Sequence, residues 1–194
     1  MKSIRIHLVA FLTLILFCCS ASATTLYLAK VDGAMGTLGP ITALPGEAIT
    51  IAAYVTDVPA DPGFGGFQLF LEKTGPATFT GPSRYGEWFL QGNIWPDWPM
   101  PNPGPDYVYG MLISGSLSGS GCLTEFTVRV DAVGPVTIDF ADKGMETFLA
   151  NRLAYIMEVN YGDPLVINVV PEPATLTLVG FGLAGLIGIR RRRS

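Results

Sequence analysis

Three stretches of the chain alternate between apolar and polar side chains, and this alternation predicts β-strands. The stretches run from Ile49 to Val55, from Phe126 to Val130 and from Val136 to Phe140. A period of two residues places one set of side chains on a buried face and the other in solvent. Cys122 falls in the apolar phase of the second stretch, so we expect its side chain to lie in the core.

Further strand candidates lie on both sides of these stretches and are separated by turn sequences. Turns are indicated at Leu44-Pro45-Gly46, Asp61-Pro62-Gly63, Val133-Gly134-Pro135 and Gly162-Asp163-Pro164. The additional strands are predicted at Leu26 to Val31, Phe67 to Glu72, Tyr107 to Ser114, Leu153 to Val159 and Leu165 to Val169. So many short strands without a long amphipathic helix predict an all-β domain over residues 24–169, an antiparallel two-sheet β-sandwich.

The N-terminal residues have the pattern of a secretory signal peptide. Positive charges at Lys2 and Arg5 precede an uncharged apolar run from Leu8 to Phe17, and Ala21 and Ala23 then form an A-x-A cleavage site. An N-terminal membrane anchor is the alternative, but the apolar run is too short to span a bilayer. We therefore expect residues 1–23 to be removed during export.

An uncharged segment at the C-terminus predicts a transmembrane helix. Residues 174–189 carry no charge, and Arg190, Arg191, Arg192 and Arg193 follow them directly. A helix of that length measures about 24 Å, somewhat less than the hydrocarbon core, and arginines can reach out to the interface. The arginine cluster should stay in the cytoplasm, so the chain before it is expected outside, tethered to the inner membrane.

Immediately before that segment stands Val170-Pro171-Glu172-Pro173, in which two prolines keep the backbone extended and accessible. This order of motif, apolar span and arginine cluster resembles the PEP-CTERM sorting signal. The resemblance covers residues 170–194 and implies an exported substrate of an exosortase, with Pro171, Glu172 and Pro173 as the sorting motif. It also implies a Gram-negative host that makes exopolysaccharide or biofilm matrix, and a final location at the cell surface or in that matrix.

The central domain resembles cohesin-like and related carbohydrate-binding sandwiches, including jelly rolls. Pro45-Gly46-Glu47 opens an alternating strand, Gly65-Gly66-Phe67 begins a second, and Leu123 to Val128 matches a third. Glu72 to Pro76 replaces the family's usual tyrosine-aspartate-proline. The resemblance implies the fold more than the function.

Charge excludes one class of partner. Lys2, Arg5 and the terminal arginines account for six of the twelve cations, so residues 24–173 carry six cations against sixteen acids, a net charge of −10. A protein that binds nucleic acid needs lysine and arginine to replace the counterions of the phosphates. Nucleic acid is therefore not an expected partner.

Few residues are available for catalysis or metal binding. His7 is the only histidine and lies in the predicted signal peptide, so histidine-based triads and zinc sites are not expected. The acids are scattered, and we predict no enzyme, no catalytic residues and no cofactor. Pairs at Asp57 and Asp61 and at Asp139 and Asp142 leave a structural calcium ion as a minor hypothesis, but neither resembles an EF-hand loop.

A cluster of aromatic residues gives the central domain two alternative functions. The candidates for glycan contact are Trp88, Trp95, Trp98 and Tyr107, in a proline-rich stretch between residues 81 and 110. Rings on stiff loops can stack on sugars, which would make the domain a carbohydrate-binding module that contacts exopolysaccharide. Alternatively, these rings close one end of the sandwich, and the protein has a structural or adhesive role.

Overall fold

The computed structural model describes residues 23–32, 35–94 and 106–172, together with residues 178, 180 and 181. Within residues 23–32, 35–94 and 106–172 the chain forms strands and one single-turn helix, α1 (Glu87–Leu90). The strands, numbered in chain order, are β1 (Thr24–Lys30), β2 (Ile41–Ala43), β3 (Ala48–Val58), β4 (Phe64–Thr74), β5 (Ala77–Phe79), β6 (Arg84–Tyr85), β7 (Asn93–Ile94), β8 (Tyr107–Ser114), β9 (Gly119–Val130), β10 (Gly134–Phe140), β11 (Phe148–Asn151), β12 (Val159–Tyr161) and β13 (Leu165–Val169).

The strands form two sheets, which confirms the prediction of an all-β two-sheet fold. Sheet 1 has the order β12-β1-β3-β9-β5, and β6 also pairs with β9. Sheet 2 has the order β2-β13-β10-β4-β8-β7, and β11 pairs with β4 beside β10. The pairing is antiparallel except at β1 with β12 and at β2 with β13, where it is parallel.

The core lies between the sheets and is built from the predicted alternating phases. In β3 the inward side chains are those of Ile49, Ile51, Ala53 and Val55, and each is at most 2% exposed. The inward phases of Phe126 to Val130 and Val136 to Phe140 are likewise buried. Burying one large aliphatic side chain stabilises the fold by about 1.5–3 kcal/mol.

The turn before β3 shows why this strand begins where it does. Pro45 and Gly46 occupy its centre, the φ of Gly46 is 86°, and the Glu47 amide donates to the Leu44 carbonyl at 3.1 Å. A proline followed by a residue with positive φ defines a type II turn, for which glycine is the favoured residue. The Glu47 carboxylate also accepts a hydrogen bond from the Leu44 amide at 2.9 Å. The Leu44-Pro45-Gly46 turn prediction is therefore confirmed.

The prediction of a strand from Leu153 to Val159 is wrong. β11 ends at Asn151, and β12 begins only at Val159. The Asn151 side-chain oxygen accepts the backbone amides of Leu153 and Tyr155, at 2.9 and 3.1 Å, and so closes a turn. An asparagine that bonds to its own following backbone competes with a sheet ladder. Leu153, Tyr155 and Ile156 are therefore exposed, whereas Met157 and Val159 pack against the core.

The predicted core position of Cys122 is also wrong. Leu123 is an extra residue in β9, because Ala53 pairs with Thr124 whereas Tyr54 pairs with Cys122. Such a β-bulge changes the phase of the alternation. Leu123 points into the core, and Cys122 lies half-buried on the outer face of sheet 1, beside Tyr54.

The tail predictions lie mostly outside the described residues. Residues 1–22, which contain Ala21, and residues 182–194, which contain the four terminal arginines, are not described, and the same holds for residues 173–177. Ala23 directly precedes β1. In the described part of the chain, no helix has the length and apolar character needed to cross a membrane.

Candidate functional site

The outer face of sheet 2 carries a row of apolar side chains that solvent reaches. In β8 the inward phase is buried, while Met111 and Ile113 in the outward phase are 47% and 46% exposed. An exposed apolar patch of this kind is typical of an interaction site. We call this row, with its neighbours on the adjoining strands, the apolar face; its members are Phe70, Tyr107, Tyr109, Met111, Ile113 and Phe148.

Cross-strand pairs connect the side chains of the apolar face. Tyr107 pairs with Phe70, and their rings stack with centroids 5.6 Å apart and an interplanar angle of 21°. Gln68 pairs with Tyr109 on one side and with Phe148 on the other. Such pairs stabilise a sheet and fix the side chains relative to one another. The face is therefore formed before any partner arrives.

A glycine makes a depression in the middle of this face. Gly66 pairs with Met111, and a Cβ atom at Gly66 would lie 2.8 Å from the carbonyl oxygen of Gly110. Because Gly66 has no side chain, a depression of about 190 Å³ opens between Met111 and Phe148. A second depression of about 290 Å³ adjoins it and extends to Arg152. A partner's side chain could fill either one.

Charges flank the apolar face at both ends. Glu72 lies opposite Asp139 in the register of β4 and β10, next to the stacked rings of Phe70 and Tyr107. Asp139 forms a 2.9 Å salt bridge with Lys143. In the part of the chain that the structure describes, Glu72 forms no ion pair. Arg152 stands at the other end, beside the second depression. A partner would meet negative charge at one end and positive charge at the other, which favours one orientation.

Two of the predicted glycan-contacting residues are described, and they lie apart. Trp88 is 9% exposed and packs on Phe64 with ring centroids 5.5 Å apart, so most of its surface belongs to the core. Tyr107 lies half-buried on the apolar face. Trp95 and Trp98 are outside the described residues. The structure therefore does not bring Trp88 and Tyr107 together on one surface.

The aspartate pairs considered for calcium form no evident site. Across residues 23–32, 35–94 and 106–172, no three histidine, cysteine, aspartate or glutamate side chains are close enough to share a metal ion. The Asp139 carboxylate bonds to Lys143 and to the Phe140 amide. These contacts use the acceptor oxygens that a cation would need.

The apolar face was missed in the sequence, although β8 contains a signal for it. The segment from Tyr107 to Ser114 is apolar in both phases of its alternation. A strand with one solvent-exposed face should alternate between apolar and polar residues. A strand that is apolar on both faces therefore has both faces covered by other parts of the protein or available for binding. That property distinguishes β8 from β10, whose outward residues include Thr137 and Asp139.

The sorting segment directly follows the last strand. The Val170 amide donates to the Ala43 carbonyl at 2.9 Å, and Pro171 and Glu172 are exposed. Residues 169–193 match the PEP-CTERM protein-sorting motif. The chain carries a PEP-CTERM sorting motif. The motif implies an exported chain that passes through a membrane-anchored intermediate and is sorted by an exosortase.

The fold is that of cohesin domains. A type I cohesin solved in a cohesin–dockerin complex from Clostridium thermocellum is similar to it with a TM-score of 0.55 and 12% identity, covering 77% of this chain and 95% of that one. The sixth cohesin of scaffoldin B from Acetivibrio cellulolyticus, solved with a Cel5 dockerin, gives 0.53 and 7%, covering 77% and 100%. A type II cohesin of the cellulosome of A. cellulolyticus gives 0.53 and 14%, covering 75% and 95%. No curated protein sequence matches the chain.

Proposed function

We propose that the chain is an exported, non-catalytic protein that an exosortase sorts to the cell surface, where its β-sandwich binds another protein through the apolar face. The observation that carries the binding role is the row formed on sheet 2 by the half-buried Tyr109 and the exposed Met111 and Ile113. Solved cohesins of the same fold include complexes with dockerins, which are protein partners. The sorting motif supports delivery of this surface to the outside.

The chemistry of the apolar face supports a protein partner with matched features. Aliphatic or aromatic side chains of the partner would enter the depressions beside Gly66, and a lysine or arginine would approach Glu72. Burying apolar area supplies most of the affinity, and the flanking charges set the orientation. The exopolysaccharide or biofilm matrix of the host is the proposed setting for this contact.

A carbohydrate-binding module is the second candidate, and the Phe70 and Tyr107 stack favours it. A flat, half-exposed aromatic platform can pack against the apolar face of a sugar ring. Both candidates use the same surface, so one experiment can separate them.

Site-specific photocrosslinking in the native host tests the proposed function. A photoreactive amino acid replaces Met111, and a matched variant carries it at Val133, which is 52% exposed on a turn away from the apolar face. We expect the variant at position 111 to crosslink one defined protein that the variant at position 133 does not. That partner should be lost when Ile113 is also changed to aspartate.

Two other outcomes decide against the protein-binding role. Crosslinks to polysaccharide alone would establish the carbohydrate-binding alternative. Identical crosslinking patterns from positions 111 and 133 would show that the apolar face has no specific partner.

A further inference from the structure

A second cleft lies on the opposite side of the molecule, on the outer face of sheet 1. It has a volume of about 500 Å³ and is bounded by the loop after β1, the helix α1 and the bulged part of β9. This volume is in the range of small-molecule sites. The lining residues used below are Tyr54, Glu87, Trp88, Cys122 and Glu125.

Tyr54 forms the floor of the cleft and has an unusual hydroxyl group. The residue is 1% exposed, and its ring stacks on Tyr27 with centroids 5.6 Å apart and an interplanar angle of 18°. The Tyr27 hydroxyl donates to the Met35 carbonyl at 3.2 Å, whereas the Tyr54 hydroxyl has no hydrogen-bond partner among the described residues. Because every fully enclosed side-chain oxygen and nitrogen in those residues has a partner, the Tyr54 hydroxyl retains contact with solvent, and Tyr54 lines the cleft.

Two carboxylates give the cleft a negative potential. The pKa of the Cys122 thiol is raised to about 12. Burial is the main cause, and the negative charges of Glu125 and Glu87 also contribute to the increase. Both carboxylates therefore act on the same space, and the thiol stays neutral. Arg84 pairs with Glu125 across the strands β6 and β9, but in the described structure it forms no salt bridge with Glu125 or Glu87.

The groups around the cleft select one type of ligand. Two carboxylates and a phenol oxygen can each accept a hydrogen bond, and a primary ammonium group has three donors and no acceptor. Trp88 supplies an apolar wall for the carbon atoms next to that group. A metal ion does not fit, since no three metal-ligating side chains converge in the described residues.

We propose that this cleft binds a small organic cation through its primary ammonium group, which donates hydrogen bonds to Glu87, Glu125 and the hydroxyl of Tyr54. The bound amine belongs either to an amino sugar or to an alkylamine such as a lysine side chain. This site is separate from the apolar face on sheet 2. The amine-binding proposal can therefore be wrong while the proposed protein-binding function holds, and the reverse is also true.

Calorimetric titration of the exported protein, purified in mild detergent, tests the proposal. The probes are n-butylamine and D-glucosamine, and N-acetyl-D-glucosamine serves as the uncharged comparison. We expect both amines to bind and the acetylated sugar not to bind. A charged hydrogen bond is worth about 1.5–3 kcal/mol, so Glu125→Gln and Glu87→Gln should each weaken amine binding about tenfold or more.

Two further variants make the test specific. Tyr54→Phe removes only the hydroxyl and keeps the ring stack on Tyr27, and it should also weaken binding of the amines. Glu146→Gln makes the same charge change on an exposed residue near sheet 2 and should leave binding unchanged. Thermal melting of each variant confirms that it is folded.

The outcomes separate the two sources of the amine. Glucosamine binding more than tenfold tighter than butylamine supports an amino sugar, and equal binding supports an ammonium group alone. Equal binding of glucosamine and its acetylated form overturns the proposal. So does unchanged affinity in both folded glutamine variants at positions 87 and 125.

Discussion

At the scale of the residue, one inserted amino acid decides the surroundings of Cys122. Leu123 occupies the inward position that strict alternation would give to its neighbour, and the thiol is turned to the outer face beside Tyr54. There it is half-buried and lies within the field of Glu125. We therefore expect the Cys122 thiol to react slowly, because the thiolate is the nucleophile.

Alkylation of Cys122 measures this effect. With the pKa of the thiol raised to about 12, the folded protein at pH 8 holds far less thiolate than the unfolded chain, whose thiol has a pKa near 9.0. Iodoacetamide should modify the folded protein at least about a hundredfold more slowly than the protein in urea, as followed by intact mass. Comparable rates in the two conditions would show that the thiol is not in the described environment.

The same pKa shift affects stability in one direction. Well below pH 9 the thiol is protonated in both states, and its contribution to stability is complete. As the pH rises from about 9 towards 12, the unfolded thiol ionises while the folded thiol does not, so the free energy of unfolding falls. Cys122→Ala should reduce this loss, while Tyr54, whose pKa burial also raises to about 12, continues to contribute above pH 10.

At the scale of the element, β4 changes partners along one edge, and a single threonine closes the gap. β10 pairs with residues Leu71 to Thr74, and β11 pairs with residues Phe64 to Gln68. Phe70 lies between these two ladders. The Thr147 hydroxyl accepts the Phe70 amide and donates to the Phe70 carbonyl, both at 3.1 Å, and Thr147 is 0% exposed.

Thr147→Val tests the importance of this side chain. Valine keeps the shape of threonine but leaves the Phe70 amide without its acceptor, which should lower the free energy of unfolding by about 1–3 kcal/mol. Thr137→Val on the outer face of β10 is the matched control and should change it by less than about 0.5 kcal/mol. Guanidinium denaturation measures both. An equal effect of the two substitutions would contradict a special role for Thr147.

At the scale of the whole molecule, the sequence identified the layers but not the surface that we propose for binding. Strand-forming residues between turn signals predicted β8 and β13 with the observed boundaries, and the inward residues of both strands are buried. The sequence did not reveal which outward residues meet across strands, since the pairing of Phe70 with Tyr107 depends on the register of two distant segments. It also failed where a side chain bonds to its own backbone, as at Asn151.

Sorting is tested on the whole exported chain. We expect protein from the native host to have lost the arginine-rich end, and Glu172→Ala to retain it because the sorting motif is altered. Glu158→Ala changes an exposed acid outside the motif and should be processed normally. Intact-mass measurement distinguishes the forms. A wild-type protein that keeps Arg190 to Arg193 would rule out processing of the tail.

The short distance between β13 and the sorting motif limits how far the domain can lie from a point of attachment at the motif. β13 ends at Val169, and the motif's prolines begin at Pro171. Three residues from Val170 to Glu172 extend over about 10 Å at most. If the sorted chain is attached at this point, the linker between the sandwich and its anchor is very short. The domain then stays close to the anchor, and its orientation is restricted. Its partner would then have to approach the cell envelope closely, because the domain cannot reach out to meet it.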